Sequence, residues 1–410
     1  MQKILLFIAS LFYFNFLFSK NEIKSWQGIH ETPLSRLEQQ FAEPPVEFAN
    51  HVIWGWEGKM DKKTICNDLD SIKKKGFRAI IFEAGYKLPF KYLSEEWFKA
   101  IRTGVLEAKK RGMKVWIIDE GKYPSGFAGG KFSQERPDLR MQALVIGDTI
   151  QIKRGEVMTN HKIAPEIISA VAVSTSGAPN RTVAINNGEI SFNAGLDDWK
   201  ILLVKSDFRT AVTRAVNNPN GGKDATNSLC DYLNPVAVQQ FIDWTHEQYK
   251  KYLGKELGTT VLGFRGDEPD YAHLPWTPSI VQTFKDTKGY DPTPYLASFF
   301  TTSPTIQEQR VKADYWDVWS SLFATHFFKL QADWCAANGV AHITHLNKEH
   351  EMPACVKAEG DYFRNLSKVQ IPGVDAIWNQ IWPGTLNDFP KLASSVAHVY
   401  GKPRAFSESF

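Results

Sequence analysis

Along this chain, short apolar runs of strand length take turns with longer segments whose apolar residues lie three and four apart. That alternation is the pattern of parallel βαβ units. His51–Trp56 reads as the first strand. A helix from Lys62 to Lys75 follows, with Ile65, Leu69 and Ile72 on one face and Gly76 as its stop. Arg78–Glu83 is the second strand, a helix opens at Ser94 and runs to Lys110, and Lys114–Asp119 is the third. The helical period then vanishes. Ala143–Ile146, Ile167–Val173, Thr182–Ile185, Glu189–Phe192 and Lys200–Val204 are short β-type runs parted by turns such as Asn186–Asn187–Gly188. They predict an inserted antiparallel β module over residues 142–216, with Asn217–Gly222 looping back to the main fold. The βα rhythm resumes with a helix Pro235–Leu253 and strand four, Thr260–Arg265. A long helix Arg310–Asn338 leads to strand five, Val340–His345. Strand six is Val374–Trp378, and a helix from Asp388 to Tyr400 precedes strand seven, Arg404–Ser407.

These seven strands show no internal repeat. A doubly wound sheet is open to such a pattern, but no strand is followed by G-x-G-x-x-G, the spacing within Gly126–Gly130 is wrong for it, and no P-loop occurs. Polar residues instead sit at or just past the C-terminal ends of nearly every strand: Trp56, Glu83, Asp119 and Glu120, Asp267 and Glu268, His345 to Asn347, Asn379, and Glu408. A TIM barrel builds its active site in that one layer. The expected fold is therefore an α/β (β/α)8 TIM-type barrel, incomplete at seven strands, formed by residues 21–141 and 217–410 around the β module. Sequence ends at Phe410, inside what should be a strand-end loop. A missing C-terminal segment is expected, with the chain alone poorly soluble and inactive; a partner chain supplying the strand is the alternative.

The first twenty residues change the picture of where the protein works. Lys3 precedes an uncharged run from Ile4 to Phe18, closed by Ser19 and Lys20. This is the layout of a secretory signal peptide and is short for a membrane span. Export to the periplasm or the extracellular space is expected, with no membrane partner after cleavage. At 43% hydrophobic, 23% charged and a net charge of +3, the chain is neither a disordered tail nor a nucleic-acid binder. Lys73–Lys75 reads as a solvated helix face. Cys66, Cys230, Cys335 and Cys355 match no zinc or redox spacing; export permits one disulfide, with Cys335–Cys355 nearest in sequence, against free buried thiols.

Glu268 and Glu408 stand at the ends of strands four and seven. Glycoside hydrolysis needs two such carboxyls, one protonated to release the leaving oxygen and one ionised to activate water or attack carbon. Strand parity separates Asp267 from Glu268, so the two should aim differently; the competing reading of each carboxylate is a helix cap or salt bridge. The segment Asp119–Glu120–Gly121–Lys122–Tyr123 suits a loop that bonds sugar hydroxyls, and Asp267, His345, Asn347 and Asn379 belong to the same layer. Trp54, Trp56, Trp276, Trp378 and Trp382 lie near strand ends, where sugar faces stack. His342 and His345 differ in parity and no H-E-x-x-H occurs, which disfavours zinc; no G-x-S-x-G occurs, which disfavours a serine hydrolase.

Several of these segments occur together in one family. Trp54–Gly55–Trp56 with its Thr64–Gly76 helix, Tyr123–Gly130, Asp231–Tyr232–Leu233–Asn234–Pro235, Asp267–Glu268–Pro269, Trp276–Thr277–Pro278 and the stretch from Lys391 to Glu408 resemble glycoside hydrolase family 106, the secreted bacterial alpha-L-rhamnosidases. The resemblance covers Pro44 to Phe410, interrupted by the β insertion. It implies a (β/α)8 catalytic domain, an oligo- or polysaccharide substrate, an inverting mechanism, calcium near the bound sugar and no organic cofactor. By motif it carries the general acid to Glu268 and the general base to Glu408; it places no calcium ligand on a position, and Asp119, Glu120 and Glu359 are open candidates. Two rivals stay open: a carbohydrate-binding barrel without activity, and a retaining beta-galactosidase-like hydrolase.

Overall fold

The computed structural model describes residues 33–44, 50–121, 123–210, 213–214, 223–224, 228–271, 274–378, 380–381, 383–384 and 387–409. The expected signal peptide lies outside them. Chain contacts separate a first unit, Met1–Phe48, from a second, Ala49–Phe410. The first contributes the helix Leu34–Ala42.

In the second unit seven parallel strands pair in chain order: β1 (His51–Trp56), β2 (Ala79–Ala84), β3 (Lys114–Ile118), β4 (Val261–Asp267), β5 (Ala341–His345), β6 (Ile371–Asp375) and β7 (Phe406–Glu408). Among the described residues β1 and β7 form the edges. Helices cover the strands as the periodicity predicts. Lys62–Lys74 is capped by Asp61, which accepts from the Thr64 N–H, and Glu95–Lys110 by Ser94, which accepts from the Trp97 N–H. Alternation along the strands sorts their side chains. Val52, Trp54 and Trp56 of β1, Ile80 and Phe82 of β2, Val115 and Ile117 of β3, and Phe264 of β4 pack into the core beneath the helices. The opposite face carries Arg265, Asp267, His345, Phe406 and Glu408, which meet one another.

Strand six is displaced from its expected place. Pro372 and Gly373 argue against a central strand from sequence alone, yet they lie inside β6, and Trp378 falls outside it. Gly373 faces Phe406, whose ring an added Cβ would meet at 2.1 Å. The helix expected over Pro235–Leu253 breaks at Thr245 (φ −113°, ψ −83°) into Pro235–Trp244 and His246–Leu253. The long helix begins earlier than expected, at Ile306, behind a Thr305–Glu308 capping box, and carries a π turn over Phe323–Phe328. Helices Ile280–Lys288 and Met352–Glu359 had no clear signal in the sequence. Described cysteines are all free, so Cys335 and Cys355 are buried thiols.

The chain between β3 and β4 builds four strands of an antiparallel sheet, Gln142–Ile152, Trp199–Phe208, Ile167–Ser174 and Arg181–Thr182 in that order, and Pro275–Trp276, which follows β4, joins its edge beside Gln142–Ile152. A smaller sheet joins Val157–Lys162, Glu189–Asn193 and Ile185–Asn186. The hairpin between the last two turns on Asn187 (φ 50°) and Gly188 (φ 75°), the left-handed pair a two-residue turn requires. Leu144, Val171, Leu202 and Val204 pack into the main helical core, whereas Ile152, Ala172, Phe192 and Trp199 form a separate one.

Candidate active site

The C-terminal ends of β4 to β7 bring charged side chains into one cluster. Arg265, buried in β4, forms ion pairs with Glu408 of β7 and, at 3.3 Å, with Asp267. His345 of β5 places Nε2 at 2.9 Å from the Arg265 guanidinium, 3.1 Å from Glu408 and 3.3 Å from Asp267, while its Nδ1 meets the Leu346 carbonyl at 3.1 Å. Burial alone would lower the His345 pKa, but the Asp267 and Glu408 carboxylates outweigh it and hold the value well above the ordinary one. Gly266 lets β4 and β5 close: a Cβ there would lie 2.9 Å from Thr344 Oγ1.

Glu268 follows with φ +38°, a left-handed conformation unusual for a side chain of this kind. The parity expectation fails for that reason. β4 ends at Asp267, and the turned backbone aims Glu268 toward the same cluster: its carboxyl, that of Asp375 at the end of β6 and a His345 nitrogen all lie within 4.8 Å of one another.

The two glutamates have opposite electrostatics. Burial, reinforced by Asp267, Asp375 and Glu349 and opposed by His345, pushes Glu268 up to about 9. Burial also acts to raise Glu408, but the His345 hydrogen bond and the charges of Arg265 and His345 overcome it and hold that carboxyl below its ordinary value. These opposite shifts favour the protonated form of Glu268 and the ionised form of Glu408. Beneath them Glu349 accepts from the Leu346 N–H at 2.9 Å and is pushed by burial up to about 7.

The loop after β3 supports this cluster. Glu120, expected to touch substrate, accepts from the backbone N–H groups of Gly121, Phe127, Ala128 and Gly129 and is buried, so both its oxygens hold the loop. Asp119 accepts from Ser125 Oγ at 2.6 Å, and that oxygen accepts from the Asp267 N–H at 2.7 Å, tying the loop to the end of β4. The Tyr232 hydroxyl donates to the Ser125 carbonyl, and Asn234 caps the helix Pro235–Trp244, which makes Asp231–Pro235 a bracing motif. Tyr123 accepts from Asn347 Nδ2 at 2.9 Å, and the Asn347 N–H donates to Glu359 at 2.8 Å. These two expected contacts therefore meet each other.

Of the tryptophans, Trp56 is fully buried, Trp54 packs against it and Phe82, and Trp276 belongs to the main core. Trp378 is 71% exposed. Asn379, Trp382 and Lys122 lie outside the described residues. Sequence reasoning missed Arg265, Glu349 and Asp375. An arginine inside an apolar parallel strand was the available signal for the first; displacement of strand six hid the last.

Residues 160–410 match the family model of glycoside hydrolase family 106, described as alpha-L-rhamnosidase. The chain belongs to this glycoside hydrolase family. Its structure aligns with a rhamnosidase from Novosphingobium sp. PP1Y at a TM-score of 0.65 and 16% identity, over 90% of this chain and 52% of that one; a likeness so distant in sequence concerns the fold. A curated Formosa agariphila protein named "Putative beta-glucuronidase" is 24% identical over 92% of this chain and 35% of its own length. The chain thus spans about a third of that relative and half of the solved rhamnosidase.

The three carboxylates suggested for calcium do not make one shell in this family member. Glu120 is saturated by amides, Asp119 faces Ser125, Glu120 and Asp267, and Glu359 faces Asp270, Glu349 and Glu268. Among the described residues two other sets come within 4.8 Å, Asp267–His345–Glu408 and Glu268–His345–Asp375. Both include a ring nitrogen of His345, and the Arg265 guanidinium already sits on the first; calcium takes six to eight oxygens. Neither set fits it.

Proposed function

We propose that this chain is the catalytic part of an exported glycoside hydrolase of alpha-L-rhamnosidase type, with Glu268 as general acid and Glu408 as general base. One observation carries the reading: two strand-end carboxyls of one cluster are driven to opposite protonation states, one by burial and like charge, the other by His345 and Arg265. Inverting hydrolysis needs that division. Glu268 would protonate the glycosidic oxygen as its bond to the anomeric carbon breaks. Glu408 would take a proton from water attacking the opposite face. The seven parallel strands, paired in chain order with helices between them, support a (β/α)8 barrel in two parts, residues 21–141 and 217–410, around the module 142–216. Export rests on the leader-like residues 1–20; among the described residues no helix is long and apolar enough to cross a membrane.

An oligo- or polysaccharide ending in alpha-L-rhamnose is the proposed substrate, with Asp267, Asn347, Tyr123 and Trp378 as the residues proposed to contact it. No step is routed through calcium. A panel of aryl glycosides tests the reading, with rhamnoside first and a chelator arm for the metal. Glucuronide belongs in the panel because of the Formosa agariphila relative's name. Hydrolysis of the rhamnoside supports the reading; activity on galactoside alone sinks it.

A further inference from the structure

Asp375 has no task in the mechanism above, yet its position is costly. Its side chain is buried, and its Oδ1 has no hydrogen-bond partner among the described residues. Parallel pairing sets it opposite Glu408, its N–H donates to Glu349 at 3.4 Å, and its carboxyl shares with Glu268 and His345 a space within which the donor atoms are no more than 4.8 Å apart. Two carboxyls set so closely in a largely buried site do not both ionise readily.

We propose that Asp375 is a positioning residue that keeps the proton on Glu268 between turnovers, by holding a negative charge and an acceptor oxygen against that carboxyl. The inference rests on Glu268 being the acid. The pair holds one proton and one negative charge. In the forward step the proton leaves Glu268 for the glycosidic oxygen, the electron pair of the breaking C–O bond goes to that oxygen, and two carboxylates are left facing each other. Taking a proton from solvent relieves their repulsion and resets the acid.

Burial raises Glu268 most, and Asp267 acts on it more strongly than Asp375 does; what distinguishes Asp375 is its lack of a bound cation among the described residues. Asp267 also faces Glu268, but its charge is met at 3.3 Å by both Arg265 and His345. Glu349 is pushed up by its own burial, and His345 acts on Glu268 in the opposite sense. Tyr123 and Glu359 feel Glu268 from the loops after β3 and β5, and Glu408 faces Asp375 from β7. Of the three carboxylates that push Glu268 up, Asp267, Asp375 and Glu349, Asp375 is the one without an ion pair among the described residues, although the His345 ring also lies within 4.8 Å of it.

The test is the pH dependence of kcat/KM on an aryl glycoside with a poor leaving group, for the wild type, Asp375→Asn, Asp375→Glu and Glu268→Gln. Removing the charge lets Glu268 ionise earlier, so the alkaline limb of Asp375→Asn should move down by about one pH unit or more. Asp375→Glu should restore it. A limb that does not move overturns the proposal, and a raised KM with an unmoved limb makes Asp375 a sugar contact instead. If Glu268→Gln keeps its rate on this substrate, the acid assignment itself has failed, which is a separate outcome. Should the asparagine variant not fold, carboxyl 13C titration of the unmutated protein decides: both residues should respond to one shared step, and independent steps overturn the proposal.

Discussion

Replacing Glu268 by glutamine exchanges a neutral carboxylic acid for a neutral amide of the same shape. With a value near 9, Glu268 is protonated in all but about one molecule in a hundred at pH 7, so the swap changes little charge and removes the transferable proton. General acid assistance contributes about 10²–10⁴ in rate. Turnover of an alkyl or simple phenyl glycoside should fall by that factor, about 3–5 kcal/mol of barrier at 1.36 kcal/mol per decade. A dinitrophenyl glycoside, whose leaving group needs no proton, should lose less than about tenfold. The same substitution has a signature in stability. The folded protein holds a proton here that the unfolded chain releases above about pH 4.5, so the wild type loses stability as pH rises from there toward about 9. The glutamine variant lacks this loss, and its Tm should fall less over that range. Steady-state kinetics on both substrates and thermal melts from pH 5 to 9 check the two halves. Equal losses on good and poor leaving groups, or identical pH dependence of Tm, would refute the reasoning.

Glu120→Ala should act on folding: four backbone N–H groups lose their acceptor in a buried loop, so a cost of about 2–4 kcal/mol is expected, read as a large drop in Tm. Gly263→Ala should be as damaging, because the new Cβ would lie 1.9 Å from the Ala341 carbonyl oxygen; normal melting of that variant would contradict the packing of β4 on β5. Trp378→Ala, at an exposed ring, should leave Tm within about a degree while raising KM several-fold if the ring stacks on sugar; unchanged KM would remove Trp378 from the site.

Strands buried on both faces announce themselves, which is why β2 to β5 were legible as apolar runs within a residue or two of their observed bounds; β1, half-buried at the sheet edge, was legible from its run of Val52, Ile53 and Trp54. β6 was not, because Pro372 and Gly373 disguise it and the more ordinary-looking Val374–Trp378 lies beside it. That slip hid Asp375. At the end of β4 the alternation rule stopped applying one residue early, where Glu268 turns left-handed. The tryptophans show the limit of proximity in sequence: Trp54 and Trp56 sit near a strand end but face the helices, a choice set by which alternate residues the helices cover. Glu120 looked like a ligand residue because its four partners are backbone amides, to which side-chain patterns are blind.

The claim that Glu268 and Glu408 act as acid and base is tested most directly by the stereochemistry of hydrolysis. Proton NMR of the first sugar released from an aryl alpha-L-rhamnoside reports the anomer before mutarotation mixes it. A base that activates water on the opposite face gives beta-L-rhamnose first. Initial release of alpha-L-rhamnose would make Glu408 a nucleophile and contradict the account.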